Sequence, residues 1–154
     1  MLRLSRAEIS RNGGFVTAGG NLEMRGILAK ILGNEGERLA ARFLRQQGFK
    51  ILARQYHTKL GEIDLICRDG VTIVFVEVKT RRSEAAGRPE EAITFAKQKQ
   101  LTRVGLAFLK EHQLLECPAR FDVVSIVWPA DSRDPQIDHY RHAFSAVGEG
   151  QMFS

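Results

Sequence analysis

The segment GEIDLICRDGVTIVFVEVKT, residues 61–80, combines a nearly unbroken apolar run with charged residues. Its two apolar halves flank Asp69-Gly70, and Asp-Gly between apolar runs is a strong signal for a tight β-hairpin. The second half ends in Glu77 and Lys79, while Asp64 interrupts the first half. A charge on a buried strand is costly unless it is paired or bound to a metal. The segment therefore predicts a buried hairpin with a specific use for its charges.

Side chains alternate between the two faces of a strand, so each strand of this hairpin presents two rows. The second strand has the rows Val71, Ile73, Phe75, Glu77, Lys79 and Thr72, Val74, Val76, Val78, Thr80. The first strand has the rows Glu62, Asp64, Ile66 and Ile63, Leu65, Cys67. Both rows of the second strand begin apolar, which is typical of a central strand covered on both faces. Glu77 and Lys79 are expected to emerge side by side near its end.

Helical periodicity precedes this hairpin and follows it. Apolar spacing predicts a helix over about 34–47, with 24–32 as a preceding helix or its extension. Asn34 to Glu37 can be read as an N-cap and capping box, and Gly48 suits the left-handed residue that ends a helix. Pro89 is predicted to open a second helix. Strands are predicted over 49–57, 61–68, 71–81, 120–128 and 137–144. The sequence therefore predicts an α/β fold, in which a mixed sheet has helices on both faces.

The composition fits one folded domain of a cytoplasmic protein. The chain has 154 residues, and its net charge of +5 favours anionic partners. Its two cysteines, Cys67 and Cys117, form neither a metal spacing nor a disulfide framework, which indicates a reducing compartment. No apolar stretch approaches the roughly 18 residues that a membrane span needs. The predicted organisation is a flexible N-terminal leader over 1–30, a folded domain over 31–146 and a C-terminal tail over 147–154.

Two explanations account for the charges on the hairpin. In the first, the charges have a structural role and form an ion pair at the rim of the sheet, between Lys79 and either Glu77 or Asp64. Buried ion pairs stabilise proteins poorly, however, and apolar replacements often do as well. In the other explanation, the two carboxylates converge and a divalent cation removes their repulsion. Mg²⁺ is typically held by one or two carboxylates together with water and substrate phosphate.

The spacing of these residues resembles a nuclease signature. Asp64, followed thirteen residues later by Glu77-Val78-Lys79, is similar to the PD-(D/E)xK motif of the restriction-endonuclease-like fold. Ile63 stands where the motif has proline. Five blocks in order resemble the YraN-type bacterial proteins, endonuclease-like proteins with a distant likeness to archaeal Holliday junction resolvases. These blocks are GNEGERLA (33–40), GEIDLI (61–66), VFVEVK (74–79), KQKQL (97–101) and RFDVV (120–124).

The resemblance assigns a role to each matching residue. It makes Asp64 and Glu77 ligands of Mg²⁺ or Mn²⁺ and places Lys79 beside the attacking water and the scissile phosphate. Glu37 matches the helix-borne acid of the junction resolvases and would complete the metal site. The capping box is the alternative explanation of Glu37. The implied activity is metal-dependent hydrolysis of phosphodiester bonds in structured or branched DNA.

Basic residues near this motif are the candidates for nucleic-acid binding. Lys97 matches the helix lysine of the family, and Lys99 lies on the same predicted helix. Arg81 and Arg82 follow Lys79 closely, within reach of the same phosphate backbone. The alternative function is a catalytically silent nucleic-acid-binding module of the same fold. A homodimer stays open, and Asp122 is interpreted as a structural partner of one of these arginines.

Overall fold

The computed structural model describes residues 18–82 and 93–148. Contacts divide the chain into two units, Met1–Ile31 and Leu32–Ser154, and the sheet belongs to the second. The elements are α1 (Ala18–Gln46), β1 (Lys50–Thr58), β2 (Gly61–Asp69), β3 (Thr72–Arg81), α2 (Phe95–Glu111), β4 (Ala119–Val127) and β5 (Gln136–Phe144). Residues 1–17 and 149–154 lie outside the described part, so the predicted leader and tail stay predictions.

The five strands form one mixed sheet in the order β1-β2-β3-β4-β5, which makes β3 the central strand. Neighbouring strands are antiparallel except β3 and β4, which are parallel and joined through α2. A parallel pair needs such a crossover because a tight turn can only join antiparallel strands. This is the predicted α/β arrangement, a restriction-endonuclease-like mixed sheet, and it is confirmed.

Each face of β3 contacts a different hydrophobic core. On one face, Ile73 and Phe75 pack with apolar residues of α2, among them Leu101 and Val104. On the other face, Val74 and Val76 pack with residues of α1: Ala40, Ala41 and Leu44. The prediction of a central strand covered on both sides is confirmed. These two cores hold the end of β3 that carries Glu77 between two fixed helices.

The helix ends differ in part from the prediction. The segment 24–32 is an extension of α1, so the capping-box reading of Asn34 and Glu37 is wrong because both lie inside a continuous helix. Gly48 adopts φ +91° two residues after the last helical residue, Gln46, as predicted for the residue that ends the helix. The second helix begins only at Phe95, where Thr94 accepts a hydrogen bond from the backbone N–H of Lys97 (3.2 Å). Pro89 lies outside the described residues. Neither described helix is long and apolar enough to cross a membrane.

Candidate active site

The hydrogen-bonded ladder between β2 and β3 ends at the pair Leu65 and Val76. The next residues along each strand are Asp64 and Glu77. Here the backbone N–H of Val78 donates to Oδ2 of Asp64 at 2.8 Å, so a side chain takes the place of the partner strand. The predicted neighbourhood of Asp64 and Glu77, on adjacent antiparallel strands, is confirmed. It lies where the two strands part.

The alternation of β2 also breaks at Asp64. Leu65 and Cys67 belong to the core beside α1, whereas Ile63 belongs to the core beside α2. The prediction that these three residues share a face is therefore wrong for Ile63. A change of backbone direction at Asp64 explains the difference, since an unbroken strand would keep residues 63 and 65 on one face. Such irregularities next to a reactive group commonly aim a side chain.

Glu77 is buried, with 6% of its surface exposed, and its two oxygens differ. Its Oε1 lies 3.3 Å from Nζ of Lys79 and 3.7 Å from Nζ of Lys97. Its Oε2 is buried and has no hydrogen-bond partner within residues 18–82 and 93–148. Buried polar atoms nearly always find partners, so each exception calls for a physical account. The ion pair with Lys79 that the sequence suggested is present, but it satisfies only half of the carboxylate.

Asp64 is also in an unfavourable environment for a charged carboxylate. Burial raises its pKa, and repulsion from Glu77 raises it further, to about 7. Glu37 adds a weaker repulsion, while the hydrogen bond from Val78 and the charge of Lys97 act in the opposite direction. A buried carboxyl group whose pKa is raised by a neighbouring carboxylate attracts a proton or a cation.

Glu37 reaches this region from α1. A Cβ atom on Gly36 would collide with the side chain of Thr80, so the missing side chain lets α1 come close to the end of β3. Glu37 is close enough to raise the pKa of Asp64, yet its Oε2 accepts a hydrogen bond from Nε2 of Gln55 at 2.8 Å. Across the described residues, no three His, Cys, Asp or Glu side chains are grouped closely enough to hold one metal ion. The predicted three-carboxylate shell is therefore not drawn together in this structure.

Gln55 is a site residue that the sequence did not indicate. It lies in β1 at an exposed position, and a glutamine in a polar stretch of strand carries no distinctive pattern. Only its backbone conformation, φ +48°, and its contact with Glu37 single it out.

The candidate nucleic-acid-binding residues lie on two elements. Lys97, in the first turn of α2, is half-buried and reaches Glu77, which places it inside the site. Lys99 is exposed on the same helix. Arg81 is the last residue of β3, and Arg82 is exposed directly after it. The structure thus brings Lys97 into the site, while the other three lie on segments that lead away from it.

A second buried carboxylate shows what a structural charge looks like in this protein. Asp122, 0% exposed, accepts hydrogen bonds from Nε of Arg120 at 3.0 Å and from the backbone N–H of His142 at 3.1 Å. Nε2 of His139 lies 2.8 Å from its other oxygen. Burial alone would raise its pKa, but the bonds to His139 and Arg120 hold it below its ordinary value. The predicted structural role of Asp122 fits this arrangement, although its partner is Arg120 rather than Arg81 or Arg82.

Comparison with known proteins gives one consistent result. The family model described as Uncharacterised protein family UPF0102 matches residues 36–126. A UPF0102 protein of Geotalea uraniireducens is 47% identical over 115 residues, which cover 75% of this chain and 90% of that protein. A UPF0102 protein of Nocardia farcinica is 46% identical over 123 residues, 77% of this chain and 96% of that protein. The matched residues 36–126 include Glu37, Asp64, Glu77 and Lys79.

Proposed function

The chain belongs to the Uncharacterised protein family UPF0102, and we propose that it is a metal-dependent endonuclease of the PD-(D/E)xK type. Its substrate is proposed to be structured or branched DNA. The resemblance of its sequence blocks to those of YraN-type proteins, which have a distant likeness to junction resolvases, supports this substrate. The catalytic residues are Asp64, Glu77 and Lys79, with Glu37 as a further carboxylate.

One observation carries the proposal: the protein compensates the Asp64–Glu77 pair only in part, while it fully compensates Asp122. The pKa of Asp64 is raised to about 7, and the buried Oε2 of Glu77 has no partner among the described residues. Asp122 is bonded to Arg120 and His139, and its pKa is lowered. A charge cluster with a purely structural role would be fully hydrogen-bonded, as Asp122 is. The pair at the strand ends instead has the charge and the spare oxygen that a divalent cation requires.

The residues present fit Mg²⁺ or Mn²⁺. Both ions prefer carboxylate oxygens, and Mg²⁺ commonly takes only one or two of them, with water and substrate phosphate completing its coordination. Asp64 and Glu77 would hold the ion, and Glu37, which is not grouped with them closely enough to bind the same ion in this structure, would add negative charge nearby. When bound, such an ion lowers the pKa of a water molecule and neutralises charge on a phosphoryl group.

The chain's own cations suit the remaining demands of phosphodiester hydrolysis. In this reaction a water molecule loses a proton as its oxygen bonds to phosphorus, the bond from phosphorus to the leaving oxygen breaks, and that oxygen takes up a proton. Negative charge grows on the phosphoryl oxygens on the way. Lys79 lies at the opening between the strands, and its ammonium can stabilise that developing charge. Lys97, whose ammonium reaches the same oxygen of Glu77, can bind the same phosphate or the adjacent one. Arg82 and Lys99, both exposed, would contact the phosphate backbone further away.

A panel of end-labelled DNAs tests the proposal directly. Single strands, duplexes, flaps and four-way junctions are incubated with the protein and Mg²⁺ or Mn²⁺, with EDTA as the metal-free arm. Cleavage should require the metal and disappear in Asp64→Asn and Glu77→Gln. Asp122→Glu serves as the matched control, because it preserves a carboxylate outside the site. If the wild type and Asp64→Asn cleave equally well, the activity comes from elsewhere and the proposal fails.

The silent nucleic-acid-binding module is the second candidate function. The observation that favours it is the pairing of Glu77 with both Lys79 and Lys97, together with the lack of a three-carboxylate group among the described residues. Such a module would bind DNA with the salt dependence of phosphate contacts but would not cleave it with any metal. The panel above separates the two functions, since bound but intact DNA indicates the module.

A further inference from the structure

Gln55 has an unusual backbone for the middle of a strand. Its φ of +48° lies in the left-handed region, which residues other than glycine adopt at an energetic cost. Its neighbours Arg54 and Tyr56 pair with Leu65 and Ile63, so Gln55 lies across from Asp64. The strained residue of β1 and the carboxylate of β2 therefore occupy opposite positions in the β1–β2 hairpin.

The turn of the backbone at Gln55 changes which way β1 presents its side chains. Ala53 and Tyr56 both pack against the core beside α2, although they are three positions apart in the strand. Regular alternation would place them on opposite faces. The irregularity at Gln55 thus matches the one at Asp64 on the partner strand. Both strands of the β1–β2 hairpin therefore bend at the candidate site.

The side chain of Gln55 connects this bend to α1. Its Nε2 donates to Oε2 of Glu37 at 2.8 Å and to Oδ1 of Asn34 at 3.2 Å. These acceptors lie three residues apart, on one side of the helix. An amide nitrogen has two hydrogens, so the two bonds use its full donor capacity. Through Gln55, the β1–β2 hairpin restrains the carboxylate of Glu37 on α1.

Glu37 needs such a hold because its neighbours repel it. Asp64 and Glu77 are both negative when ionised, and the Glu37 side chain is only partly buried, so solvent is open to it. A neutral donor restrains one carboxylate oxygen without cancelling its charge. A lysine at this position would restrain Glu37 as well, but it would compete with a cation for it.

We propose that Gln55 is a positioning residue that keeps Glu37 near Asp64 and Glu77, where its negative charge favours binding of a divalent cation. This inference rests on the proposed function. The exposed hydrogen bonds of Gln55 contribute little to stability, and its backbone conformation detracts from it. A residue that is strained and weakly bonded, yet aimed at a candidate ligand, is better explained by the site than by the fold.

The chain offers a matched control for the strain. Gln113 is another exposed glutamine with a left-handed backbone, at φ +57°, and it lies after α2. Glycine at either position relieves the left-handed strain, which offsets the greater freedom of glycine in the unfolded chain. Gln55→Gly and Gln113→Gly should therefore both keep or raise the melting temperature. Only Gln55→Gly removes a contact with Glu37.

Calorimetric titration with Mn²⁺ supplies the decisive readout. Gln55→Gly should weaken Mn²⁺ binding by about tenfold, in the range found when partners of metal ligands are removed, while Gln113→Gly leaves it unchanged. In a double-mutant cycle, Gln55→Gly should have no further effect once Glu37→Gln is present. A Gln55→Gly protein with wild-type Mn²⁺ affinity would overturn the inference. So would equal losses in the presence and absence of Glu37.

Asp64→Asn distinguishes this failure from failure of the proposed function. If Asp64→Asn loses Mn²⁺ binding and Gln55→Gly does not, the metal site stands and only the role of Gln55 is refuted. If the wild type and Asp64→Asn show the same isotherm, the metal site itself is refuted, and the role of Gln55 falls with it.

Discussion

Replacing Asp64 by Asn should stabilise the metal-free protein at and above neutral pH. Burial, followed by repulsion from Glu77, raises the pKa of Asp64 from 3.8 to about 7. The folded protein therefore keeps a proton on this carboxyl over a pH range in which the unfolded chain has released it. Asn cannot ionise, yet its amide oxygen can still accept the hydrogen bond that the backbone of Val78 donates.

The sign of the effect follows from proton linkage. Between the two pKa values the folded state binds more protons than the unfolded state, so the free energy of unfolding falls as the pH rises. The fall is at most about 1.4 kcal/mol per pH unit and ends near pH 7. Repulsion from Glu37 deepens it, and the charge of Lys97 opposes it. We expect the wild type to lose about 2–4 kcal/mol in total, and Asp64→Asn to show no such loss.

Urea unfolding in EDTA at several pH values between 5 and 8 measures this difference. The variant should already be more stable at pH 5, and its advantage should widen up to about pH 7 and then stay constant to pH 8. Asp122→Asn is the opposing control, because the pKa of Asp122 is lowered and its stabilisation is present above its unfolded pKa. That variant should be less stable than the wild type at neutral pH. If Asp64→Asn is also less stable than the wild type at pH 8, Asp64 has a structural role and the predicted destabilisation by its charge is refuted.

Three further substitutions separate the roles of neighbouring residues. Lys79→Ala should abolish cleavage while DNA affinity, measured by fluorescence anisotropy, stays nearly unchanged, because its ammonium acts on charge that develops during the reaction. Lys99→Ala should leave the cleavage rate at saturation unchanged but weaken DNA binding, and the slope of log affinity against log salt should fall by about one. Gly36→Ala should lower the free energy of unfolding by about 1–3 kcal/mol and weaken Mn²⁺ binding, because its methyl group would push α1 away from Thr80. Unchanged stability in Gly36→Ala would contradict the close contact.

Much of the sheet was predictable because the signals are local. Asp69-Gly70 marks the hairpin turn, where Gly70 adopts φ +61°, and the double apolar rows of β3 indicate its central position. The spacing from Asp64 to Glu77 then follows from the hairpin, because residues equally far from the turn come together. The start of the second helix was not predictable from Pro89, since a side-chain cap at Thr94 decides where the helix begins.

The parts that the sequence did not predict depend on contacts between distant segments. The break in alternation at Asp64 requires a matching irregularity on β1, and nothing in the residue types of Gln55 or Asp64 demands one. The absence of a side chain on Gly36 has meaning only against Thr80, which is far away in the sequence. The capping-box pattern at Asn34 was misleading because helical residues 18–33 precede it and remove the need for a cap.

The candidate ligands come from separate elements, and this explains why the protein accepts unfavourable geometry at one corner of its sheet. Asp64 comes from β2, Glu77 from β3 and Glu37 from α1, so no single segment can form the site. Bringing α1 close requires a glycine at position 36, and restraining Glu37 involves a left-handed glutamine at position 55. The left-handed backbone of Gln55 lowers stability locally, and the carboxylates add their own repulsion. Substitutions that stabilise this corner should therefore weaken cation binding, whereas those around Asp122 should affect stability alone.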